Sequence, residues 1–87
     1  MNICGILVHT QPKNFDAVRE RLLSVQGVEV HGMSEEGRVV VTLEEDNEDR
    51  MAQSLHEVQR LEGVIAASMI YHHKEDENQA ISQEKVQ

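Results

Sequence analysis

Val25-Gln26-Gly27-Val28 and Leu61-Glu62-Gly63-Val64 are the same phrase written twice. In each copy an apolar residue, a polar residue and a glycine precede a valine that opens an apolar run. Upstream of the first copy, Phe15, Val18, Leu22 and Val25 recur at helical spacing, with Arg19, Glu20 and Arg21 facing outward. Upstream of the second, Met51, Leu55, Val58 and Leu61 form the apolar stripe, and Asp49, Gln53, Glu57 and Arg60 fill the opposite face. Glycine can adopt the left-handed conformation beyond a last helical turn. Each phrase therefore reads as helix end, stop and strand start. Asn14 and Asn47 stand where helix N-caps are expected, with acidic residues in both first turns.

Further strands flank these units. Residues 3–9, Ile-Cys-Gly-Ile-Leu-Val-His, form an apolar run of strand length, and Pro12 marks the turn after it. Residues 28–33, Val-Glu-Val-His-Gly-Met, alternate in the manner of a short edge strand with a wet face. Ser34-Glu35-Glu36-Gly37 reads as a hairpin connection. Arg38 to Glu44, with three consecutive valines, carries the strongest strand signal. A fourth strand runs from Val64 to about His72. The order is strand, helix, strand, strand, helix, strand. Two right-handed strand–helix–strand units interleaved in one antiparallel sheet give an α+β, ferredoxin-like βαββαβ sandwich. Its expected strand order is 4-1-3-2, with strands 1 and 3 central and both helices on one face. Residues 1–73 make up this domain. Residues 74–87 are polar and without period, and a disordered tail is expected there.

Size and charge narrow the function. The chain has 87 residues, a single small domain. Acidic residues outnumber basic ones 16 to 8, for a net charge of -8. Nucleic acid needs phosphate neutralisation, so such a partner is disfavoured; a basic peptide suits the charge better. Cys4 is the single cysteine, which excludes an internal disulfide or a CxxC motif and marks a buried filler in an apolar run. No basic segment followed by a long apolar stretch is present, and a cytoplasmic protein without membrane insertion is expected.

Helices on one side leave the other face of an antiparallel sheet to solvent. In strand 3, Val39, Val41 and Leu43 are the better core row, which leaves Val40, Thr42 and Glu44 outside. In strand 1, either row keeps a large apolar residue. In strand 4, aligning the two phrases sets Val64, Ala66 and Ser68 toward the helices and turns Ile65, Ala67, Met69 and Tyr71 outward. The open face is thus expected to carry Leu7, Val40, Ala67, Met69 and Tyr71, with Glu29 and Glu44 at its rim. A contiguous exposed apolar patch marks a binding surface; Met adapts to varied partners and Tyr is enriched at interfaces. A homodimer covering the face, or rows assigned the wrong way round, are the competing readings.

No catalytic constellation emerges. The five histidines are His9, His31, His56, His72 and His73. None falls in an HExxH motif, and the adjacent pair His72 and His73 point to opposite faces of a strand. No glycine-rich phosphate loop is present. Val25-Gln26-Gly27-Val28 is similar to part of the acylphosphatase signature, but here the run follows the first helix and has no suitable arginine with it. No enzymatic activity, metal or cofactor is expected.

Four segments together resemble the NapD family. They are Cys4-Gly5-Ile6-Leu7-Val8, Gly27-Val28-Glu29-Val30-His31, Gly37-Arg38-Val39-Val40-Val41, and the more specific Glu62-Gly63-Val64-Ile65-Ala66-Ala67-Ser68-Met69-Ile70-Tyr71-His72. The resemblance spans about residues 3–73. Gly5 stands where the family often has serine. The resemblance implies a non-catalytic cytoplasmic chaperone of the periplasmic nitrate reductase system. Such a protein binds the twin-arginine signal peptide of the catalytic subunit on its sheet face and delays export until the molybdenum cofactor is in place. The alternative from another class is a small-molecule regulatory module of the ACT or Lrp-associated type, which shares the fold and the glycines before strands.

Overall fold

The computed structural model describes residues 1–74. Strand β1 (Asn2–His9) leads through a 3-10 turn (Pro12–Asn14) into helix α1 (Phe15–Leu23). Strands β2 (Val28–Met33) and β3 (Arg38–Glu45) follow, then helix α2 (Glu48–Arg60) and strand β4 (Ala66–Lys74). The sheet order is β2-β3-β1-β4 and every neighbouring pair is antiparallel, which is the expected 4-1-3-2 arrangement. Strand β4 starts two residues later than expected and extends through Lys74, one residue past the expected domain boundary. The rest of the expected tail lies outside the described residues.

The repeated phrase is a pair of matching turns. The Val28 N–H donates to the Val25 carbonyl at 3.2 Å, and the Val64 N–H donates to the Leu61 carbonyl at 3.1 Å. Gly27 and Gly63, third in each turn, have φ of 87° and 94°. A turn closed this way with a positive φ at its third residue requires glycine there, and that is why both halves keep it. The two copies do the same mechanical job, redirecting each helix back along the sheet.

One core holds the layers together. Cys4, Ile6 and Val8 from β1 and Val39, Val41 and Leu43 from β3 are fully buried. They meet Val18 and Leu22 of α1, Val58 and Met51 of α2, and Val28 of β2 in a single cluster. Both helices therefore cover the same face. The core is aliphatic, and burial pushes the Cys4 thiol above its ordinary pKa, in keeping with a packing role.

Two local details differ from the sequence expectation. Asn14 makes no side-chain cap; its N–H instead donates to the Gln11 carbonyl at 2.8 Å inside the 3-10 turn. Pro12 fixes φ at the start of that turn, so proline rather than a side-chain acceptor sets the entry to α1. In α2 the fully covered positions are Met51, Ser54 and Val58, while Leu55 is only half-buried. Ser54 is small, and its hydroxyl donates to Glu45 Oε2 at 3.4 Å, so this helix face can lie close to the end of β3. Leu55 is turned toward β4.

Asn47 does cap α2: its Oδ1 accepts from the Arg50 N–H at 2.8 Å. Asn47→Ala is expected to cost ~1 kcal/mol, the usual worth of such a cap. Denaturant melts should show the midpoint falling accordingly, and an unchanged midpoint would mean that the cap contributes nothing.

Candidate binding face

The face away from the helices is organised in levels that cross the sheet. The first level holds Ile3, paired with Glu44 on β3 and His73 on β4. The second runs across all four strands as Tyr71, Gly5, Thr42 and Glu29. The third holds Ser68, Leu7, Val40 and Gly32. The last joins Ala66, His9 and Arg38. Adjacent levels are two residues apart, about 7 Å along the strands.

Five of the expected site residues meet here. Val40 and Tyr71 are 44% and 51% exposed, and Leu7 is half-buried between their strands. Glu29 and Glu44 are exposed on the same side. The other two fall elsewhere. Ala67 pairs with Val8 and is buried in the core, and Met69 pairs with the core residue Ile6. Both therefore point to the helix side. Met69 lines a shallow groove against Met51, Ala52 and Leu55 of α2.

The physical reason is a bulge in β4. Gly5 pairs with Tyr71 and Ile6 with Met69, which leaves Ile70 as an extra residue. Before the bulge, Ala66 and Ser68 are the open row, the reverse of the expected assignment. After it, the inserted residue shifts the alternation, and Tyr71 returns to the open face. A strict period of two joined Ala67, Met69 and Tyr71 in one row; the backbone separates them.

Tyr71 lies directly on β1. A Cβ placed on Gly5 would overlap the Tyr71 ring at Cε2, so the absence of a side chain at position 5 creates the seat for that ring. Half of the tyrosine stays open to solvent above this seat. Across the sheet, His31 Nε2 shares a hydrogen bond of 2.8 Å with Thr42 Oγ1 and lies 3.9 Å from Glu29 Oε1. His31 is itself the extra residue of a second bulge, between Val30 and Gly32 in β2. Gly5, Thr42, His31 and Arg38 were not among the expected site residues. The row containing Ile3, Gly5 and Leu7 was the available signal for Gly5.

Other parts of the surface offer less. A cleft between the end of α1 and α2 is lined by residues of both charges such as Glu45, Arg50, Glu57 and Arg60. Among the described residues, no group of three or more His, Cys, Asp and Glu side chains is placed to hold a metal ion. No helix among them is long and apolar enough to cross a membrane.

A family model described as NapD protein matches residues 1–76. The chain belongs to the NapD family. Chaperone NapD of Haemophilus influenzae is 26% identical over 78 residues, which cover 88% of this chain and 84% of that protein. Chaperone NapD of Escherichia coli K12 is 24% identical over 78 residues, covering 88% and 90% respectively. The solution structure of the E. coli Tat proofreading chaperone protein NapD superposes with a TM-score of 0.75 at 25% identity, over 86% of this chain and 80% of that one. NapD proteins are chaperones, and the family match sets aside both the enzymatic reading and the small-molecule regulatory module.

Proposed function

We propose that the chain is a cytoplasmic chaperone that binds the twin-arginine signal peptide of the periplasmic nitrate reductase catalytic subunit. By holding that peptide, it delays export until cofactor insertion and maturation are complete. The observation that carries this reading is the open face: Leu7, Val40 and Tyr71 form an apolar surface, with the carboxylates of Glu29 and Glu44 on the same side. A signal peptide offers a cationic segment and an apolar one, and this surface matches both. Arginine presents a planar fork to a carboxylate and stacks on aromatic rings, which lysine does not reproduce. The net charge of -8 adds attraction at long range, strongest at low salt.

Calorimetric titration with the signal peptide, and with a version carrying lysine at both arginines, tests this. The lysine peptide keeps the charge and loses the fork. Its affinity is expected to fall about tenfold, the equivalent of one charge-assisted hydrogen bond of roughly 1.5 kcal/mol. Equal affinity for both peptides would reduce recognition to net charge, and no binding of either would end the chaperone reading.

A further inference from the structure

The open face is not the same at its two ends. Glu44 stands on the first level, and the second level has Glu29 at its β2 edge and Tyr71 at its β4 edge. Leu7 and Val40 make the third level, and Arg38 stands on the last. Along β3 alone the sequence of outward side chains is therefore cationic, apolar, polar and acidic, from Arg38 through Val40 and Thr42 to Glu44. At the Arg38 end, the nearest carboxylate is already engaged: Glu36 Oε1 lies 3.1 Å from Arg38 Nη1. Glu35 belongs to the turn beyond the paired rows. A cationic segment laid along this face meets the carboxylates of Glu44 and Glu29 at one end and an arginine already paired with Glu36 at the other, so it is held more strongly at the first end.

We propose that this gradient sets the direction in which the peptide lies. The inference rests on the signal-peptide reading above. In an export signal the cationic segment precedes the apolar one. Its arginines lie over the first two levels, between Tyr71 on β4 and the carboxylates of Glu44 on β3 and Glu29 on β2, and the apolar segment that follows lies over Leu7 and Val40. The bound chain then runs in the same direction as β1, from the Ile3 end toward His9. Glu44 and Val40 are four residues apart, about 14 Å along the strand. Roughly four extended residues or nine helical ones cover that distance, so the direction holds for either conformation. Tyr71 contributes an aromatic surface at the cationic end: seated on Gly5 and half open, it offers a guanidinium a ring with little freedom to turn away.

A nitroxide label on the signal peptide tests the direction, placed first at its N-terminus and then after its apolar segment. Line broadening of the protein's backbone amides is read by NMR, and calorimetry establishes binding of each labelled peptide. The N-terminal label is expected to broaden Ile3, Glu44 and His73 more than His9, Val40 and Arg38, and the second label is expected to do the opposite. The reverse pattern, or equal broadening at both ends by each label, overturns the proposed direction while the chaperone reading stands. Peptides that produce neither heat nor shift changes overturn both. The charge swap Arg38→Glu with Glu44→Arg keeps net charge and inverts the gradient. It should weaken binding about five-fold, the equivalent of the upper range for exposed ion pairs. Unchanged affinity in the folded swap variant would also overturn the direction.

Discussion

Tyr71→Ala is expected to bind the signal peptide about thirty-fold more weakly, the loss of roughly 2 kcal/mol that marks an aromatic hot spot. The ring is half exposed and rests on the backbone at Gly5. Its removal takes away an interaction surface and leaves the buried cluster between sheet and helices intact. The variant should still unfold cooperatively. Gly5→Ala approaches the same ring from below. The added methyl cannot share space with the aromatic ring, so the tyrosine must move, and part of the same loss in affinity should appear. Titration and a denaturant melt on both variants check this. Wild-type affinity in folded Tyr71→Ala would remove the tyrosine from the site and place recognition on another part of the face.

The second large effect concerns stability. Leu22 of α1 is fully buried among the strands, and Leu22→Ala is expected to cost roughly 2–5 kcal/mol. Small domains have only about 5–15 kcal/mol in total, so the variant should sit near the edge of folding. Leu55→Ala should cost less, because Leu55 is only half-buried at the β4 side of α2. The ordering of the two midpoints is the test. Equal losses would mean that Leu55 is as much a part of the core as Leu22.

Why Leu55 differs from the sequence expectation is instructive. Apolar spacing placed it at the centre of the helix stripe, and hydropathy alone favours it over Ser54. The structure puts Ser54 there because a small side chain with a hydroxyl partner on Glu45 lets the helix approach β3. Pattern reading weighs transfer free energy and does not see the distance of approach. The strong parts of the fold had no such competition. The repeated glycine turns and the valine row of β3 are specified by local rules, and strand order followed from them.

The open sheet face, the candidate site, shows the same division. Leu7, Val40, Glu29 and Glu44 sit in regular stretches of β1, β2 and β3, where alternation holds, and they were legible. In β4 alternation fails at Ile70. Ala67 and Met69 were therefore assigned to the wrong side, and Tyr71 reaches the open face only because the inserted residue reverses the parity. A bulge leaves no composition mark in a single sequence. The seat beneath Tyr71 was equally hidden, since a glycine inside a strand signals close approach without naming what approaches.

The bulges at His31 and Ile70 share a further property: each lies in one of the two outer strands, β2 and β4. Outer strands are where stray chains can be recruited, since each has a row of donors and acceptors with no neighbour. A bulge breaks such a row and increases its twist, so no long straight template is left for another strand to copy. On β4 the Ala67 carbonyl is also occupied, accepting from Gln59 Nε2 at 3.0 Å. A protein with an uncovered oily surface runs a constant risk of fibril-like association. Here Val40 and Tyr71 are exposed on the flat of the sheet, while both margins are poor templates for growth.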